Sequence, residues 1–587
     1  MKIAKNKKGQ FVDIKNSSPD EEYYCPVCHE LLIRSFGLEK QYFSHQKDKD
    51  NTSCEIKMKL LLKKDNTDFT QEDQFILQEY YNKFSDVKIQ LSDYKSEEGY
   101  YLTQEQKDII FSKEDRIKIS ALAGAAKTST LYYYAKERPF KKILYIVYNK
   151  AMKDEAERTF GNLHNVEIKT IHGLAYKYVG KYYRQKLTFN YNAIDIIKNL
   201  NLDWNEDQEI AIKINDMMIA YMLSEVQNFE DLDMYNDDYN KKYRPVIIKL
   251  CEKLWNLKKD YNSKVKIEHD FYLKLFQLAK VDLSKQYDII LLDESQDASK
   301  LVLSILNNSN VKGIVIVGDK YQKLYGWRNA IDIAPFFKGK EYKLTTSFRV
   351  NQNIADIANI MVSDVTNTNI KMLGFNKNQK IVDKIDRHEP YACLCRTNSY
   401  IFAEVLDAMK EGNKRIYFEG GYRGYKFENI KDSYYFSLGH KVKNPMLNKF
   451  KNYEQMEEYA ENTDDLELKA IIRTIDKYGD IIPDLIDKIK NNIVKDKSKA
   501  DIIFSTIHKS KGMTYSIPVL ISDDHFDIET FFRNKFINKK ANMNDENYKD
   551  EMSIVYVGIT RCAGEIELSD TLKRYLILRY KYKRGIE

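Results

Sequence analysis

The sequence predicts an α/β protein with two parallel-sheet domains, each carrying a helical insertion, and a small cysteine-containing module at the N-terminus. From about residue 99 onward, short apolar runs that look like buried strands alternate with helical patterns, which is typical of parallel sheets. Two charge-rich stretches, about 176–285 and about 410–500, have helical patterns without strand-like runs. They therefore predict insertions into two α/β cores.

The size and composition of the chain exclude a single small domain and a disordered polymer. Its 587 residues are 43% hydrophobic and 31% charged, so at least two domains with substantial cores are expected. The net charge of +7, from 94 basic and 87 acidic residues, permits nucleic-acid binding without demonstrating it. No apolar run reaches about 18 residues, and no apolar segment follows MKIAKNKKGQ. We therefore expect no membrane association, a cytoplasmic or nucleoid location, and reduced cysteines.

The pattern of apolar runs, and the residues that interrupt these runs, predict four segments. Residues 1–60 form a Cys/His module, and residues 61–98 form a helical connector that includes TQEDQFILQEYYNKF. The first α/β domain spans 99–342 and the second spans 343–587. The strand-like runs are DRIKISAL, KKILYIVYN, YDIILL and GIVIVG in the first domain, and YACLC, DIIFST and IPVLIS in the second.

The run DRIKISAL continues into AGAAKTST and a helical LYYYAKER, which is the strand, loop and helix order of a phosphate-binding loop. Backbone N–H groups would cradle phosphates, Lys127 would reach the β and γ oxygens, and Thr128 would ligate Mg²⁺. Ala126 stands where the strict pattern has Gly, whose backbone takes conformations that cost other residues roughly 1 kcal/mol or more. An ordinary small-residue turn is the alternative. The predicted loop residues are Gly124, Ala125, Ala126, Lys127, Thr128 and Ser129.

Two further strand-end motifs supply the remaining chemistry of an NTPase. Asp293 and Glu294 directly follow YDIILL, where one carboxylate can hold Mg²⁺ and the other can polarise a water molecule. GIVIVG leads into Asp319, with Gln322 three residues further on. Two acids that merely cap a strand are the alternative to a catalytic pair. Because parallel strands place ligand groups at their carboxyl ends, the three motifs together predict one nucleotide site.

From LTQEQ at 102 to VYVGITRC at 555, the sequence resembles UvrD-like superfamily 1 DNA helicases, with most similarity to the F-box DNA helicase subgroup. The resemblance lies in ALAGAAKTSTL, VYNKAMKDEAERTF, KTIHGLAYKYVG, LTTSFR and STIHKSKGM, and it covers roughly the last five-sixths of the chain. We find no F-box. The resemblance implies two RecA-like domains that bind ATP and Mg²⁺ and move 3′ to 5′ on single-stranded or tailed duplex DNA.

The resemblance also implies roles for residues around the nucleotide. Gln106 would read the adenine edge, and Phe348 would stack on adenine. Arg349 and Arg561 would contact the γ-phosphate from the second domain, where a guanidinium stabilises charge on the transferring group. Gln322 would sense the γ-phosphate. For each arginine taken singly, a surface ion pair is the alternative.

The residues that would line a single-strand channel are Tyr148, His172, Trp327, Arg328 and His508. Aromatic faces stack on bases of any sequence, which suits a motor that steps on all of them. Trp327 is the firmest of these assignments, and its alternative is a place in the core. His269 and Asp270 match a feature of the subgroup to which we assign no role.

Two departures from the family pattern keep a second function open. Thr514 stands where a glutamate is expected to meet the ribose hydroxyl, and Ala126 replaces the loop glycine. Both changes favour an ATP-gated scaffold that binds DNA or a partner protein and unwinds little. The sequence does not distinguish roles in DNA repair, replication, plasmid or phage biology, and defence.

The N-terminal segment contains a metal-ligand pattern. Cys25 and Cys28 are followed after sixteen residues by His45 and after eight more by Cys54. Three thiolates and one imidazole suit tetrahedral Zn²⁺, and a small segment with little core would gain stability from it. Buried cysteines with an unrelated histidine are the alternative. This module or the helical insertions could also bind a protein partner.

Overall fold

The computed structural model describes most of the chain, namely residues 3–6, 11–13, 23–24, 31–36, 41–45, 69–82, 89–97, 99–189, 191–204, 206–236, 241–324, 332–366, 370–410, 412, 414–463, 465–522, 526, 528–539 and 545–585. Two compact units are formed. One contains Met1–Ile76, Val405–Asn413 and Gly421–Ile493, and the other contains Leu77–Glu404, Lys414–Gly420 and Val494–Glu587. No helix of the described residues is both long enough and apolar enough to cross a membrane.

The N-terminal region contains a five-stranded antiparallel sheet in the order β2-β1-β3-β4-β5. Its strands are β1 (Ile3–Asn6), β2 (Phe11–Asp13), β3 (Tyr23–Tyr24), β4 (Leu31–Phe36) and β5 (Gln41–His45). Next come α1 (Gln71–Tyr81), the antiparallel pair β6 (Leu91–Lys95) and β7 (Tyr101–Thr103), and α2 (Gln104–Ile110). Within the predicted helical connector 61–98, residues 91–95 instead form strand β6. Ser92 in this strand is buried between two exposed neighbours, which is the two-residue alternation of a strand.

The first α/β domain is a six-stranded parallel sheet in the order β10-β9-β11-β12-β8-β13. In chain order it contains β8 (Arg116–Ala121), α3 (Lys127–Lys136), β9 (Ile143–Val147), α4 (Lys150–Phe160), β10 (Val166–Thr170), α5 (Ile171–Tyr178), α6 (Ala193–Leu200), α7 (Gln208–Leu223), α8 (Arg244–Lys259), α9 (His269–Leu278), β11 (Ile289–Leu292), α10 (Lys300–Asn308), β12 (Gly313–Gly318) and β13 (Lys340–Leu344).

Helices cover both faces of this sheet, which explains why its central strands read as unbroken apolar runs. In β9, Leu144 and Ile146 pack into a core that also contains Trp255 and other residues of the helical insertion. Tyr145 and Val147 point to the opposite face and pack with α3 and α4. Successive side chains of a strand point to opposite faces, so both sets must be apolar.

The second α/β domain is a six-stranded parallel sheet in the order β16-β21-β20-β17-β19-β18. From residue 346 the chain contains β14 (Thr346–Ser347), α11 (Gln352–Val365), β15 (Leu373–Gly374), β16 (Lys380–Val382), β17 (Tyr391–Cys395), α12 (Asn398–Lys410), β18 (Ile416–Phe418), α13 (Phe427–Ser437), α14 (Tyr453–Thr463), α15 (Leu466–Tyr478), α16 (Ile482–Asn491), β19 (Ile502–Thr506), α17 (Ile507–Ser510), β20 (Val519–Ile521), α18 (Ile528–Phe532), α19 (Asp545–Ile559), β21 (Glu565–Glu567) and α20 (Asp570–Lys583).

The two parallel sheets confirm the predicted α/β class, while two boundaries need correction. Strand β13 pairs with β8 as far as Leu344, so the first sheet extends past the predicted boundary at 342. Strand β18 pairs with β19 inside the stretch predicted to be helical from about 410 to 500. The second insertion is therefore the helical segment Gly421–Ile493 together with the end of α12.

Candidate active site

The loop between β8 and α3 has the geometry that its small residues suggest. Ala126 is the residue before α3 and lies in the left-handed region, with φ 54° and ψ 40°. Gly124 has φ 73°, and a Cβ there would come within 2.5 Å of the Ser347 Oγ and 2.8 Å of the Arg349 Cβ. Glycine at 124 therefore lets the loop lie against the segment that carries Arg349, and Lys127 begins the helix whose N-terminus faces the cavity.

Asp293 and Glu294 directly follow β11 and belong to a buried polar network. The Tyr145 hydroxyl donates to the Asp293 Oδ2 at 2.7 Å and also hydrogen-bonds the Thr128 side chain. The Glu294 N–H donates to the Asp293 Oδ1 at 2.8 Å, and Glu294 has a left-handed φ of 53°. Burial, with a contribution from the Glu294 charge, raises the pKa of Asp293. Strain at a non-glycine residue is typical of functional sites.

Lys127 is paired with Glu294 across the loop. The Lys127 Nζ lies 2.9 Å from the Glu294 Oε1, and both side chains are nearly buried. Burial acts to raise the pKa of Glu294, but the charges of Lys127 and Lys511 outweigh it and lower that pKa to about 2. Burial likewise acts to lower the pKa of Lys127, and the neighbouring carboxylates raise it. The pair is therefore fully charged at neutral pH.

Gln322 joins the end of β12 to the second domain. Its Nε2 donates to the Asp319 Oδ2 at 2.8 Å, and its Oε1 accepts from the Arg561 Nη2 at 3.1 Å. The Tyr556 hydroxyl also donates to the Asp319 Oδ2, at 3.0 Å. Lys511 forms an ion pair with Asp297 and donates to the Gln322 carbonyl at 2.7 Å. Sequence reasoning did not assign Asp319, Tyr556 or Lys511, although all three lie inside the motifs used above.

The two predicted arginines lie at the same cavity, where Arg561 is buried and Arg349 is half-buried. Arg561 is 1% exposed, and its Nε donates to the Val557 carbonyl at 3.0 Å. The Arg349 Nη1 donates to the Thr560 carbonyl at 3.1 Å. Burial lowers the pKa of both groups, and the charge of Arg561 lowers that of Arg349 further. Neither has a carboxylate ion-pair partner among the described residues. An anion that binds here would therefore offset the free-energy cost of removing these two charges from water.

These groups surround one cavity of about 410 Å³. Its walls include the predicted residues Gly124, Ala125, Ala126, Lys127, Thr128, Ser129, Asp293, Glu294, Gln322, Phe348, Arg349, Thr514 and Arg561. The cavity thus combines a helix N-terminus, a lysine, two carboxylates and two arginines, which is the chemistry required to bind and cleave a nucleoside triphosphate.

The structure does not bring the predicted adenine-reading residue to the walls of this cavity. Gln106 is buried, its Oε1 accepts from the Thr103 N–H at 3.0 Å, and its Nε2 donates to the Thr130 Oγ1 at 3.2 Å. It closes the capping box of α2. Phe348 does line the cavity, where its ring centroid lies 5.4 Å from that of Phe375.

Two of the predicted DNA-contacting residues line a second cavity of about 510 Å³. Tyr148 and His172 lie there with His269 and Asp270, and the His172 Nε2 is 2.9 Å from the Asp270 Oδ1. His508 is elsewhere, in α17, where burial and nearby cations lower its pKa to about 4. Trp327 and Arg328 lie outside the described residues.

Only one of the four proposed zinc ligands lies in the part of the chain that the structure describes. Cys25, Cys28 and Cys54 lie outside the described residues, and His45 is the last residue of β5. Tyr24 pairs with Leu31, and the adjacent Leu32 pairs with His45. The end of β3 at Tyr24 and the start of β4 at Leu31 therefore lie at the same end of the sheet as His45.

Comparison with known proteins agrees with this geometry. Residues 102–338 match the UvrD/REP helicase N-terminal domain. The chain is 29% identical to F-box DNA helicase 1 of Gallus gallus over 521 residues, which is 83% of this chain and 51% of that protein. F-box DNA helicase protein 1 of Schizosaccharomyces pombe is 26% identical over 526 residues, covering 81% of this chain and 58% of that protein.

A bacterial relative, ATP-dependent DNA helicase PcrA of Leuconostoc citreum, is 25% identical over 305 residues, covering 45% of this chain and 39% of that protein. The chain thus spans little more than half the length of the two F-box relatives. These matches confirm the resemblance to UvrD-like and F-box DNA helicases over most of the chain.

Proposed function

We propose that the protein is an ATP-dependent DNA helicase that moves 3′ to 5′ along single-stranded DNA and opens tailed duplexes. The observation that carries the proposal is the cavity in which Lys127 and Glu294 of the first domain meet Arg349 and Arg561 of the second domain. Residues from two α/β domains can complete such a site only when the domains are close. ATP binding and hydrolysis can therefore drive closing and opening of the cleft.

The residues at the cavity divide the chemistry among them. Lys127 and the helix N-terminus would bind the phosphates, and Glu294 would orient and deprotonate the attacking water. Arg349 and Arg561 would neutralise charge that develops on the transferring phosphoryl group. The Thr128 hydroxyl and Asp293 carboxylate, both hydrogen-bonded to Tyr145, fit a hard cation and would hold Mg²⁺, which supplies further charge neutralisation.

The decisive experiment measures ATP hydrolysis with and without single-stranded DNA, together with unwinding of duplexes that carry either a 3′ or a 5′ tail. We expect hydrolysis to be stimulated by DNA and only the 3′-tailed duplex to be opened. Glu294→Gln is the matched control, because it preserves the shape of the site and removes the base. Preferential opening of the 5′-tailed duplex would contradict the polarity, and absence of DNA-stimulated hydrolysis would contradict the motor.

An ATP-gated scaffold is the second candidate, and two observations favour it. Ala126 carries a Cβ in the left-handed backbone region beside the phosphate site, where the motif normally has Gly. Thr514 also lines the cavity in place of an acidic residue. A scaffold predicts nucleotide-dependent DNA binding with little hydrolysis in the wild-type protein and large activation by Ala126→Gly.

The N-terminal sheet is proposed to hold one Zn²⁺ through Cys25, Cys28, His45 and Cys54. The ligand spacing supports this proposal, and so does the register by which Tyr24 and Leu31, which flank Cys25 and Cys28 in the sequence, lie at the end of the sheet where β5 ends. The ion would tie together strand ends of a small sheet. A cytoplasmic, nucleoid-associated location, a role in DNA repair and a protein partner for this module or the insertions complete the proposal.

A further inference from the structure

The helical insertion of the first domain has a basic and aromatic surface that the proposed motor mechanism does not use. It is formed by a 3-10 helix, Gly180–Lys186, and by the loop 260–266 that follows α8. Together they enclose an open cavity of about 820 Å³. None of its lining residues belongs to the nucleotide site or to the predicted single-strand channel.

Buried contacts hold these two segments together. The Lys186 Nζ donates to the Lys258 carbonyl at 2.8 Å and also to the carbonyls of Leu257 and Asp260. The Ile267 N–H donates to the Lys186 carbonyl at 2.9 Å, and the Tyr183 hydroxyl donates to the Lys259 carbonyl at 3.2 Å. Lys186 and Tyr183 are both buried. The surface is therefore built on a fixed base.

The outer face of these segments is strongly cationic. Lys181, Arg184, Lys264 and Lys266 are exposed, and no acidic side chain of the described residues lines the cavity. The nearby Asp260 carboxylate is engaged locally, because its Oδ1 accepts from the Asn262 N–H at 2.9 Å. Like charges held close together repel each other, so an arrangement of this kind is suited to a polyanion.

Exposed aromatic rings lie among these cations. Tyr182 and Tyr261 are each 61% exposed, and the Tyr261 ring packs against buried Tyr183 at a tilt of 32°, with a centroid distance of 4.6 Å. Three residues beyond the 3-10 helix, Phe189 is 89% exposed and its ring lies 4.9 Å from that of His269. Phe189 and His269 both line the cavity that contains His172. The aromatic residues thus continue from this surface toward a predicted DNA-contacting residue.

We propose that this surface is an accessory binding site for single-stranded DNA, in which the four cations contact phosphates and Tyr182 and Tyr261 stack on bases. A basic groove with exposed aromatic rings suits unpaired nucleotides, because paired bases keep their faces inside the duplex. The site would hold nucleotides of the strand outside the motor channel and lower its rate of release. This inference rests on the proposed function only in that the ligand is DNA.

The test compares wild-type protein with a variant that carries Lys181→Gln, Arg184→Gln, Lys264→Gln and Lys266→Gln. Binding of labelled oligodeoxythymidines of about 10 and about 40 nucleotides is measured over a salt series. We expect the variant to bind the long oligonucleotide at least about tenfold more weakly. Its salt dependence should be shallower by about 0.7 for each phosphate that is no longer neutralised, or about 3 for all four cations. Binding of the short oligonucleotide should change far less.

Two further variants make the result specific. Tyr182→Ala should weaken long-oligonucleotide binding by about fivefold or more, because stacking contributes about 1–3 kcal/mol per base. The charge-matched control replaces Lys285, Lys312, Lys338 and Lys340 by Gln, four exposed lysines near the amino ends of strands in the first sheet. This control should bind both oligonucleotides like the wild type.

Two outcomes would overturn the proposal: long-oligonucleotide binding unchanged in the quadruple variant, or an equal loss in the lysine control. The ATPase activity without DNA should be the same in every variant. A wild-type protein that binds DNA but shows no DNA-stimulated hydrolysis would contradict the motor function. The binding comparison would still decide the role of this surface.

Discussion

Lys127 and Glu294 form an ion pair, with 2.9 Å between the Lys127 Nζ and the Glu294 Oε1. The proposed mechanism places the lysine at phosphate oxygens and the glutamate at a water molecule. In that mechanism, nucleotide binding breaks this ion pair. The pair keeps both charges satisfied in a buried site until a phosphate chain replaces the carboxylate.

Replacing either partner should stop hydrolysis, with different effects on nucleotide binding. Glu294→Gln should lower DNA-stimulated ATP turnover by about 10²- to 10⁴-fold, because the general base is lost. It should bind ATP at least as tightly as the wild type, because Lys127 can then bind the phosphates without breaking an ion pair to a carboxylate. Lys127→Ala should lose both turnover and tight binding. Steady-state hydrolysis and titration with a fluorescent ATP analogue measure the two effects.

Lys127→Ala also leaves the buried Glu294 carboxylate without its ion-pair partner, which typically lowers the free energy of unfolding by about 3–5 kcal/mol. The double variant Lys127→Met with Glu294→Gln removes both charges and controls for this loss of stability. It should melt close to the wild type and remain inactive. Turnover near the wild-type rate in either single variant would show that the site is wrongly assigned.

Replacement of Trp327 separates a translocating motor from a nucleotide-gated scaffold. If Trp327 stacks on a base, Trp327→Ala removes roughly 1–3 kcal/mol of contact and uncouples hydrolysis from movement. Unwinding of a tailed duplex should fall steeply, while ATPase activity without DNA should hardly change. A buried Trp would instead cost about 3–5 kcal/mol of stability and depress all activities together. Melting, DNA-free ATPase and unwinding measured on one preparation distinguish these patterns.

The N-terminal module should contain about one zinc ion per chain. The expected ligands are three thiolates and one imidazole, so elemental analysis of protein purified without chelator measures the prediction directly. Cys25→Ser and Cys54→Ser should each lose the metal, while hydrolysis by the motor domains persists. Cys251→Ser is the control, because Cys251 is buried in the first insertion, and it should retain the metal. A protein without zinc would contradict the assignment.

The sequence predicted seven interior strands of the two parallel sheets but missed all four edge strands and the short interior strand β21. Central strands such as β9 and β17 are covered on both faces and must be apolar throughout. Edge strands β10 and β13 read VEIKT and KEYKL, because solvent reaches them and charged residues are tolerated. Hydrophobic runs therefore indicate the middle of a parallel sheet better than its limits.

The same limit applies to the candidate site. Lys127, Glu294 and Arg561 were predictable because each follows a recognisable motif at a strand or helix end. The hydroxyl of Tyr556 was not, because it reaches the Asp319 carboxylate from a distant part of the chain and only folding brings them together. Gln106 shows the converse, since its side chain is used in the local capping box of α2 rather than at the cavity.

Lys274 should give the first insertion a distinctive pH dependence. Its Nζ is buried against the Ser224 and Val226 carbonyls and the Tyr221 ring, and burial lowers its pKa to about 8. An unfolded lysine keeps its proton up to about pH 10.4, so between these values the unfolded chain binds more protons. Stability should therefore rise with pH across this window, by at most about 1.4 kcal/mol per pH unit from this group.

Lys274→Met lacks this proton, so the stability of the wild type relative to this variant should increase from pH 8 to pH 10. Thermal melting of both proteins at several pH values measures the difference. Lys249→Met, at an exposed position of α8, should track the wild type at every pH. A constant difference between wild type and Lys274→Met would contradict the lowered pKa.

Ala126 has already adopted the conformation that the phosphate loop requires, with φ 54° and ψ 40°. A left-handed conformation costs a residue with a Cβ roughly 1–2 kcal/mol, and the packing around the loop holds it there. Ala126→Gly relieves this strain but gives the unfolded chain more freedom, which costs about 0.4–1 kcal/mol. The net change in the free energy of unfolding should therefore lie between zero and about 1.6 kcal/mol of stabilisation.

Because the loop already has the required shape, Ala126→Gly should change kcat/KM for ATP by less than about fivefold, the equivalent of about 1 kcal/mol. Ala125→Gly is the matched control, since buried Ala125 is outside the left-handed region, and it should only destabilise. Ala126→Val should be less stable than the wild type, because a β-branched side chain is strongly disfavoured at positive φ. Activation of a nearly inactive wild type by Ala126→Gly would instead favour the scaffold, with Ala126 as the residue that stops the motor.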